Sequence, residues 1–242
     1  MQSNKLRQHR EVLSRCSEVT ASSRDSLALN RYDDAKPSLK RSANGRPHKH
    51  MYRFSLDTNC IYSIEEDRPE AVALRQLVSA HSMGAADVAL VAISASERQR
   101  HRPVESFNEF SRRIEKLGLD NMEKLRPMFY WDVTFWDFSF EPEDDWKRAE
   151  EEIHCILFSR TEFLWSDYCA KRGIPIDDMH SDVKWKNEKC DVQAYWTHIY
   201  AGRNVFVTSD RNFHKKSKSA ALAKRFGGKI ANPAQALQLI HT

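Results

Sequence analysis

The stretch NVFVTSDRNF, residues 204–213, begins with a short apolar run and ends in hydroxyls and a carboxylate. Val205, Phe206 and Val207 are β-branched or aromatic, the composition of a buried strand. Thr208, Ser209 and Asp210 follow where that strand should surface. In an open parallel sheet, ligands gather outside the carboxyl ends of the strands, so Asp210 stands where chemistry is usually done. Taken alone, Asp210 reads better as the cap of a helix beginning near Asn212. The other strand ends decide between the two.

Residues 51–56 read as a strand closed by Asp57, Thr58 and Asn59, with a helix from about Cys60. AVALRQLVSA, residues 71–80, sets Val72, Leu74, Leu77 and Val78 at helical spacing. DVALVAI, residues 87–93, is a nearly continuous apolar run of strand length, and Ser94-Ala95-Ser96-Glu97 follows at once. Residues 188–201 carry an apolar stripe of Val192, Tyr195, Trp196 and Ile199 that Gly202 stops. Asp191 opens that helix on this reading. Beyond Asp210 come a basic helix over 214–226, a short strand at 229–231 and a last helix over 234–240. Strands alternating with helices over short links predict an α/β fold, three-layer α/β/α around a central parallel sheet.

The middle of the chain is harder to place. Residues 104–117 read as a helix, and WDVTFWDFSF at 131–140 alternates like a strand. Residues 144–168 form one long helix that Gly173-Ile174-Pro175 ends, and 177–186 is polar and irregular. The region 104–186 is therefore expected to insert extra helices between the second and third core strands. Its tryptophans are expected in the core, although an exposed one could stack an unpaired base.

A chain of 242 residues can bury a large core, and 40% apolar with 30% charged residues is ordinary for a soluble protein. The net charge of +4 is uneven: residues 1–50 carry eleven Lys/Arg against five Asp/Glu, which leaves the remainder slightly acidic. That segment is expected to be a flexible basic arm able to touch phosphates without reading sequence. Residues 51–242 form the folded domain on this reading. No apolar run is long enough to span a bilayer, and the first residues lack the apolar core of a secretory signal. The five cysteines show no short paired spacing, which argues against a disulfide framework or a zinc site. A cytoplasmic protein with no membrane association is expected.

Asp57, Glu97 and Asp210 thus lie just past proposed strand ends, and Asp191 heads the helix leading to the last of them. Carboxylates gathered at one sheet edge repel each other, and the usual relief is a hard divalent cation, Mg²⁺ or Mn²⁺, held by oxygen ligands. Such an ion can lower the pKa of a bound water and neutralise a phosphoryl group. Each acid also has a local reading. Asp57 could cap the following helix, Ser94–Glu97 has the S-x-x-E form of a capping box, and Asp191 could answer the helix dipole. Glu188, one turn before Asp191, is a reserve ligand. Thr208 and Asn59 are candidates for orienting the acids. Arg98, Arg211 and Lys215 are candidates for contacting a nucleic-acid backbone.

LDTN at 56–59, SASE at 94–97, CDVQAYW at 190–196 and FVTSDRNF at 206–213, in that order, resemble the PIN-domain ribonucleases, and most of all the VapC-like toxins of toxin–antitoxin pairs. The resemblance covers about 51–101 and 188–242; the basic arm and the long middle region depart from it. It implies a Mg²⁺- or Mn²⁺-dependent endoribonuclease, a hydrolase with Asp57, Glu97, Asp191 and Asp210 as catalytic metal ligands. RNA would be the substrate, and the products would end in 5′-phosphate and 3′-hydroxyl. It also admits an antitoxin protein and a second copy of the chain as partners. The alternatives are a PIN-like module that binds RNA or protein without cutting it, and a haloacid-dehalogenase-like phosphatase. Asn59 counts against the phosphatase, which needs an Asp at that position.

Overall fold

Every strand of the computed structural model runs the same way. Its described residues are 51–93, 106–177 and 182–240, so the basic arm, Glu97 and Arg98 lie outside them. In chain order the elements are β1 (Arg53–Leu56), α1 (Thr58–Glu65), α2 (Ala71–Ser82), β2 (Asp87–Val91), α3 (Phe107–Lys116) and β3 (Glu123–Leu125). There follow α4 (Asp144–Phe158), α5 (Trp165–Arg172), α6 (Val183–Tyr200), β4 (Val205–Val207), α7 (Lys216–Phe226), β5 (Lys229–Ala231) and α8 (Pro233–Ile240). The five strands form one parallel sheet in the order β3-β2-β1-β4-β5.

Alternation along the strands sorts the two cores. Phe54, Leu56, Val88, Leu90, Val205 and Val207 point to one face, beneath α1, α2, α3 and α8. Ala89, Val91 and Phe206 point to the other, beneath α4, α5, α6 and α7. Both faces are covered, which is why the strands read as unbroken apolar runs. The chain is three-layer α/β/α, as expected.

The strand order reverses between β1 and β4: β2 and β3 extend to one side, β5 to the other. In sheets of this kind a crevice opens outside the carboxyl ends at that point, because the flanking loops leave in opposite directions. The two edges of the sheet also differ in charge. At the amino edge Arg203 is buried and paired with Asp87 at 2.7 Å and with Glu123, while Arg53 reaches Asp87 at 3.2 Å. Acids and bases there satisfy each other. At the carboxyl edge they do not.

The middle region departs from expectation in four ways. It contributes a strand, β3, that its polar sequence EKL conceals, so it extends the sheet as well as adding helices. Residues 131–140 are turns rather than a strand, and Trp131 and Trp136 are exposed at 60% and 76% instead of buried. The long helix breaks into α4 and α5 around residues 159–164. And α6 starts at Val183, capped by Asp182, whose carboxylate accepts from the backbone N–H groups of Lys184 and Trp185. On α2 the buried face is Ala71, Leu74, Leu77 and Ala80, whereas Val72 is 63% exposed. Cys60, Cys169 and Cys190 are free and buried, but Cys155 is disulfide-bonded, contrary to the expectation from cysteine spacing.

Candidate metal centre

Asp57 follows the last residue of β1 and is the N-cap of α1, so its carboxylate is fixed at the helix mouth. Its Oδ1 accepts from the backbone N–H of Thr58 at 2.7 Å. Its Oδ2 accepts from Asn59 Nδ2 and from the Thr208 hydroxyl, both at 2.7 Å. Thr208 lies one residue past β4, the neighbouring strand, and the Asp57 N–H donates to Val207 O at 2.9 Å. The same Thr208 Oγ1 accepts from Asn59 Nδ2 at 2.8 Å and from the Asp210 N–H at 3.1 Å. Asn59 Oδ1 in turn accepts from the Ser209 N–H at 3.1 Å. One small network therefore ties the ends of β1 and β4 together at the reversal of strand order.

Asp210 is held by its own turn: the Asn212 N–H donates to Asp210 Oδ1 at 2.8 Å, an arrangement an Asp two residues upstream readily makes. Asn212 Oδ1 accepts from Lys215 at 3.1 Å and from Lys218 at 2.6 Å. His214 Nε2 donates to Thr208 O at 2.8 Å, closing the loop from below.

Asp191 comes from α6. It lies more than two turns inside that helix, not at its start, so the dipole role considered for it does not apply. Its carboxyl group shares a hydrogen bond with Asp210 and feels the charges of Asp57, Asp210 and Glu188. Two carboxyl groups can share a hydrogen bond only if one keeps a proton. Burial, and then the Asp57 and Asp210 charges, push Asp191 well above the usual carboxylate range. Asp57 is pushed up to about 6 by burial and, more weakly, by Asp210, against the lowering effect of its Thr208, Thr58 and Asn59 hydrogen bonds.

Three of the four predicted acids are thus brought together from β1, α6 and β4; Glu97 lies outside the described residues. Glu188 adds to the cluster from the preceding turn of α6, and its buried Oε2 has no hydrogen-bond partner. Among the described residues, no three His, Cys, Asp or Glu side chains are drawn into a ligand cage. Burial and the neighbouring carboxylates favour the protonated form of Asp191. Their donor set, carboxylate oxygens with an orphaned acceptor beside them, fits a hard divalent cation and no soft one.

Of the basic residues, Arg211 and Lys215 are exposed on the turn after Asp210, and Arg98 is outside the described residues. Lys218, further along the same basic stretch, differs from them. It is not on a solvated helix face: its ammonium donates to Leu157 O and Asn212 Oδ1, and it feels the charges of Glu188, Asp210 and Asp191. Burial nevertheless lowers its pKa. Nothing local in KSKS distinguishes Lys218 from Lys216; only the packing of α7 against α4 does. No protein-family model, no curated protein and no solved structure matches this chain.

Proposed function

We propose that this protein is a metal-dependent endoribonuclease whose centre is built on Asp57, Asp191 and Asp210. The observation that carries the reading is that Asp191 and Asp210 interact directly and both act on the charge environment of Asp57 or feel it, three acids from remote parts of the chain near the point where the strand order reverses. A fold gains nothing in stability by crowding like charges there. Their clustering there, while Arg203 and Arg53 are paired with Asp87 and Glu123 at the amino edge, supports the carboxyl edge as the working end. The choice of RNA as substrate rests on the resemblance of the LDTN, SASE, CDVQAYW and FVTSDRNF segments to PIN-domain ribonucleases.

Asp57, Asp191 and Asp210, with Glu97 and Glu188 as further donors, would hold Mg²⁺ or Mn²⁺. Bound there, the ion would supply a water of lowered pKa and neutralise charge on a phosphodiester. The chain's own residues do the rest. Thr208 and Asn59 fix the Asp57 carboxylate, Asn212 fixes Asp210, and the exposed Arg211 and Lys215 offer positive charge to the RNA backbone. Lys218 places a cation beside Asp191 and Asp210.

Purified protein should cut single-stranded RNA in Mg²⁺ or Mn²⁺, stop in EDTA and leave 5′-phosphate ends. Asp210→Asn keeps the acceptor for the Asn212 N–H and should abolish cutting without unfolding the chain. An Asp210→Asn protein as active as the wild type removes the proposal. Manganese titration separates the rival without catalysis: heat that depends on Asp57 and Asp210 supports the metal centre, and its absence supports a binding module. A toxin role adds one expectation, arrested growth on expression alone and rescue by a cognate antitoxin.

A further inference from the structure

Trp131 and Trp136 pose a question the acid centre does not answer. Exposed indoles forgo a large apolar burial, and a chain with no use for them in water seldom places two together. Here they stand at 60% and 76% exposure with ring centroids 6.0 Å apart, edge to face. Phe129, partly buried, meets both rings at 6.2 and 5.6 Å and forms the floor between them.

Their segment has a defined place. It leaves β3 at Leu125, and in an all-parallel sheet the carboxyl end of β3 is on the same edge as those of β1 and β4. Met128 and Val133 enter the core on the α6 side, whereas Phe135 enters the core on the α3 side. Beyond the carboxyl end of β3 the segment therefore passes from one face of the sheet to the other. β3 is two strands from β1, about 10 Å at ordinary strand spacing. Tyr130 also packs on Trp185 of α6, the helix that carries Glu188 and Asp191.

The segment is braced internally. The Thr134 hydroxyl accepts from the Tyr130 N–H at 2.8 Å and donates to Tyr130 O at 3.1 Å, and the Phe129 N–H donates to Phe140 O at 2.7 Å. Asp132 takes a left-handed conformation, φ 56°, which lets Trp131 face outward while Val133 is fully buried. A braced pair of exposed rings loses little entropy on receiving a flat ligand. The adjacent charges are Asp132, Asp137 and Arg126, a mixture that offers little to phosphates, so recognition here is by stacking.

We infer that Trp131 and Trp136 form a stacking subsite for an unpaired nucleobase of the RNA strand whose backbone crosses the acid centre. The inference rests on the proposed function for its substrate class. The strand lies along the carboxyl edge, its phosphates over the Arg211 and Lys215 side and a base on the β3 side. Stacking of this kind tolerates any base, so the pair sets where the strand lies rather than which sequence it has.

The test is the affinity of the full chain for a fluorescein-labelled single-stranded RNA in EDTA, where no cutting occurs. Replacing both residues (Trp131→Ala with Trp136→Ala) should weaken binding about tenfold or more, and Phe at both positions should restore it to within about threefold. An oligonucleotide with abasic sites should lose affinity for the wild type and none for the double Ala variant. Unchanged melting temperatures show that the exposed substitutions leave the fold intact. Equal affinity of wild type and double Ala variant overturns the inference. So does failure of the wild type to bind RNA, which leaves the pair to a protein partner. The nuclease reading fails separately: Trp-dependent binding without cleavage in Mn²⁺ keeps the subsite and removes the catalysis. Cleavage lost in Asp210→Asn but equal affinity in the double Ala variant does the reverse.

Discussion

Thr208 donates its hydroxyl to Asp57 Oδ2 at 2.7 Å across the seam between β4 and β1, and Thr208 Oγ1 itself accepts the N–H of Asp210. One side chain thereby sets the direction of one acid and the backbone position of another. Thr208→Val keeps the shape and removes the hydroxyl, leaving the Asp210 N–H and one Asn59 N–H hydrogen bond unsatisfied. It should destabilise the fold by about 1–3 kcal/mol and weaken Mn²⁺ binding by roughly 10–100-fold. Thr208→Ser should restore most of both. Calorimetric titration and chemical denaturation of the two variants check this; a Val variant that binds Mn²⁺ like the wild type removes Thr208 from the centre.

Asp191 predicts an effect of the opposite sign on stability. Its pKa in the fold is raised, so the stability it contributes is present at low pH and is lost as pH rises and the proton it shares with Asp210 leaves. Asp191→Asn supplies a permanent donor to Asp210 and removes one charge from the cluster. In EDTA the variant should therefore melt above the wild type by roughly 2–6 °C, corresponding to about 1–2 kcal/mol in a domain of this size. The gap should widen as pH rises. In Mn²⁺ it should close or reverse, because the ion stabilises only the protein that can hold it. A lower melting temperature in EDTA would show that Asp191 is not under charge repulsion.

Much of this was readable in residue order. Four of the five strands lie where apolar runs of strand length end beside polar residues, and Asp57 and Asp210 stand past two of them because a strand end surfaces at the sheet edge. The α/β class followed from that alternation. What escaped reading was tertiary in origin. EKL at 123–125 becomes a strand because it lies at the edge, where one side stays wet and apolar content is not required. The aromatic alternation of WDVTFWDFSF looked like a strand, yet its rings divide between two cores and solvent as the segment passes from one face of the sheet to the other. The start of α6 was hidden because its first turns are polar; the Asp182 cap was the available signal. Lys218 could not be found without knowing that α7 packs on α4.

His198 predicts the acid limit of the fold. It is buried on α6 under β1, where Nδ1 lies 2.6 Å from the Ser55 hydroxyl, with Tyr195 and Phe206 against its ring. Burial, and then the Arg203 charge, hold its pKa down to about 3. The folded state thus keeps this imidazole neutral while the unfolded chain protonates it near pH 6.5. The stability it contributes is fully present above that value and is lost as pH falls through the window down to about 3, at up to roughly 1.4 kcal/mol per pH unit. Asp57, with its pKa raised to about 6, acts in the other direction over part of the same range, so the wild-type curve alone does not isolate His198. His198→Gln keeps a hydrogen-bonding partner for Ser55 and cannot titrate. The stability difference, wild type minus His198→Gln, should be flat above pH 7 and fall steadily between pH 6.5 and 4 in urea titrations. A difference that stays constant over that window would mean the imidazole is protonated in the fold, and that Ser55 and Arg203 do not face it as described.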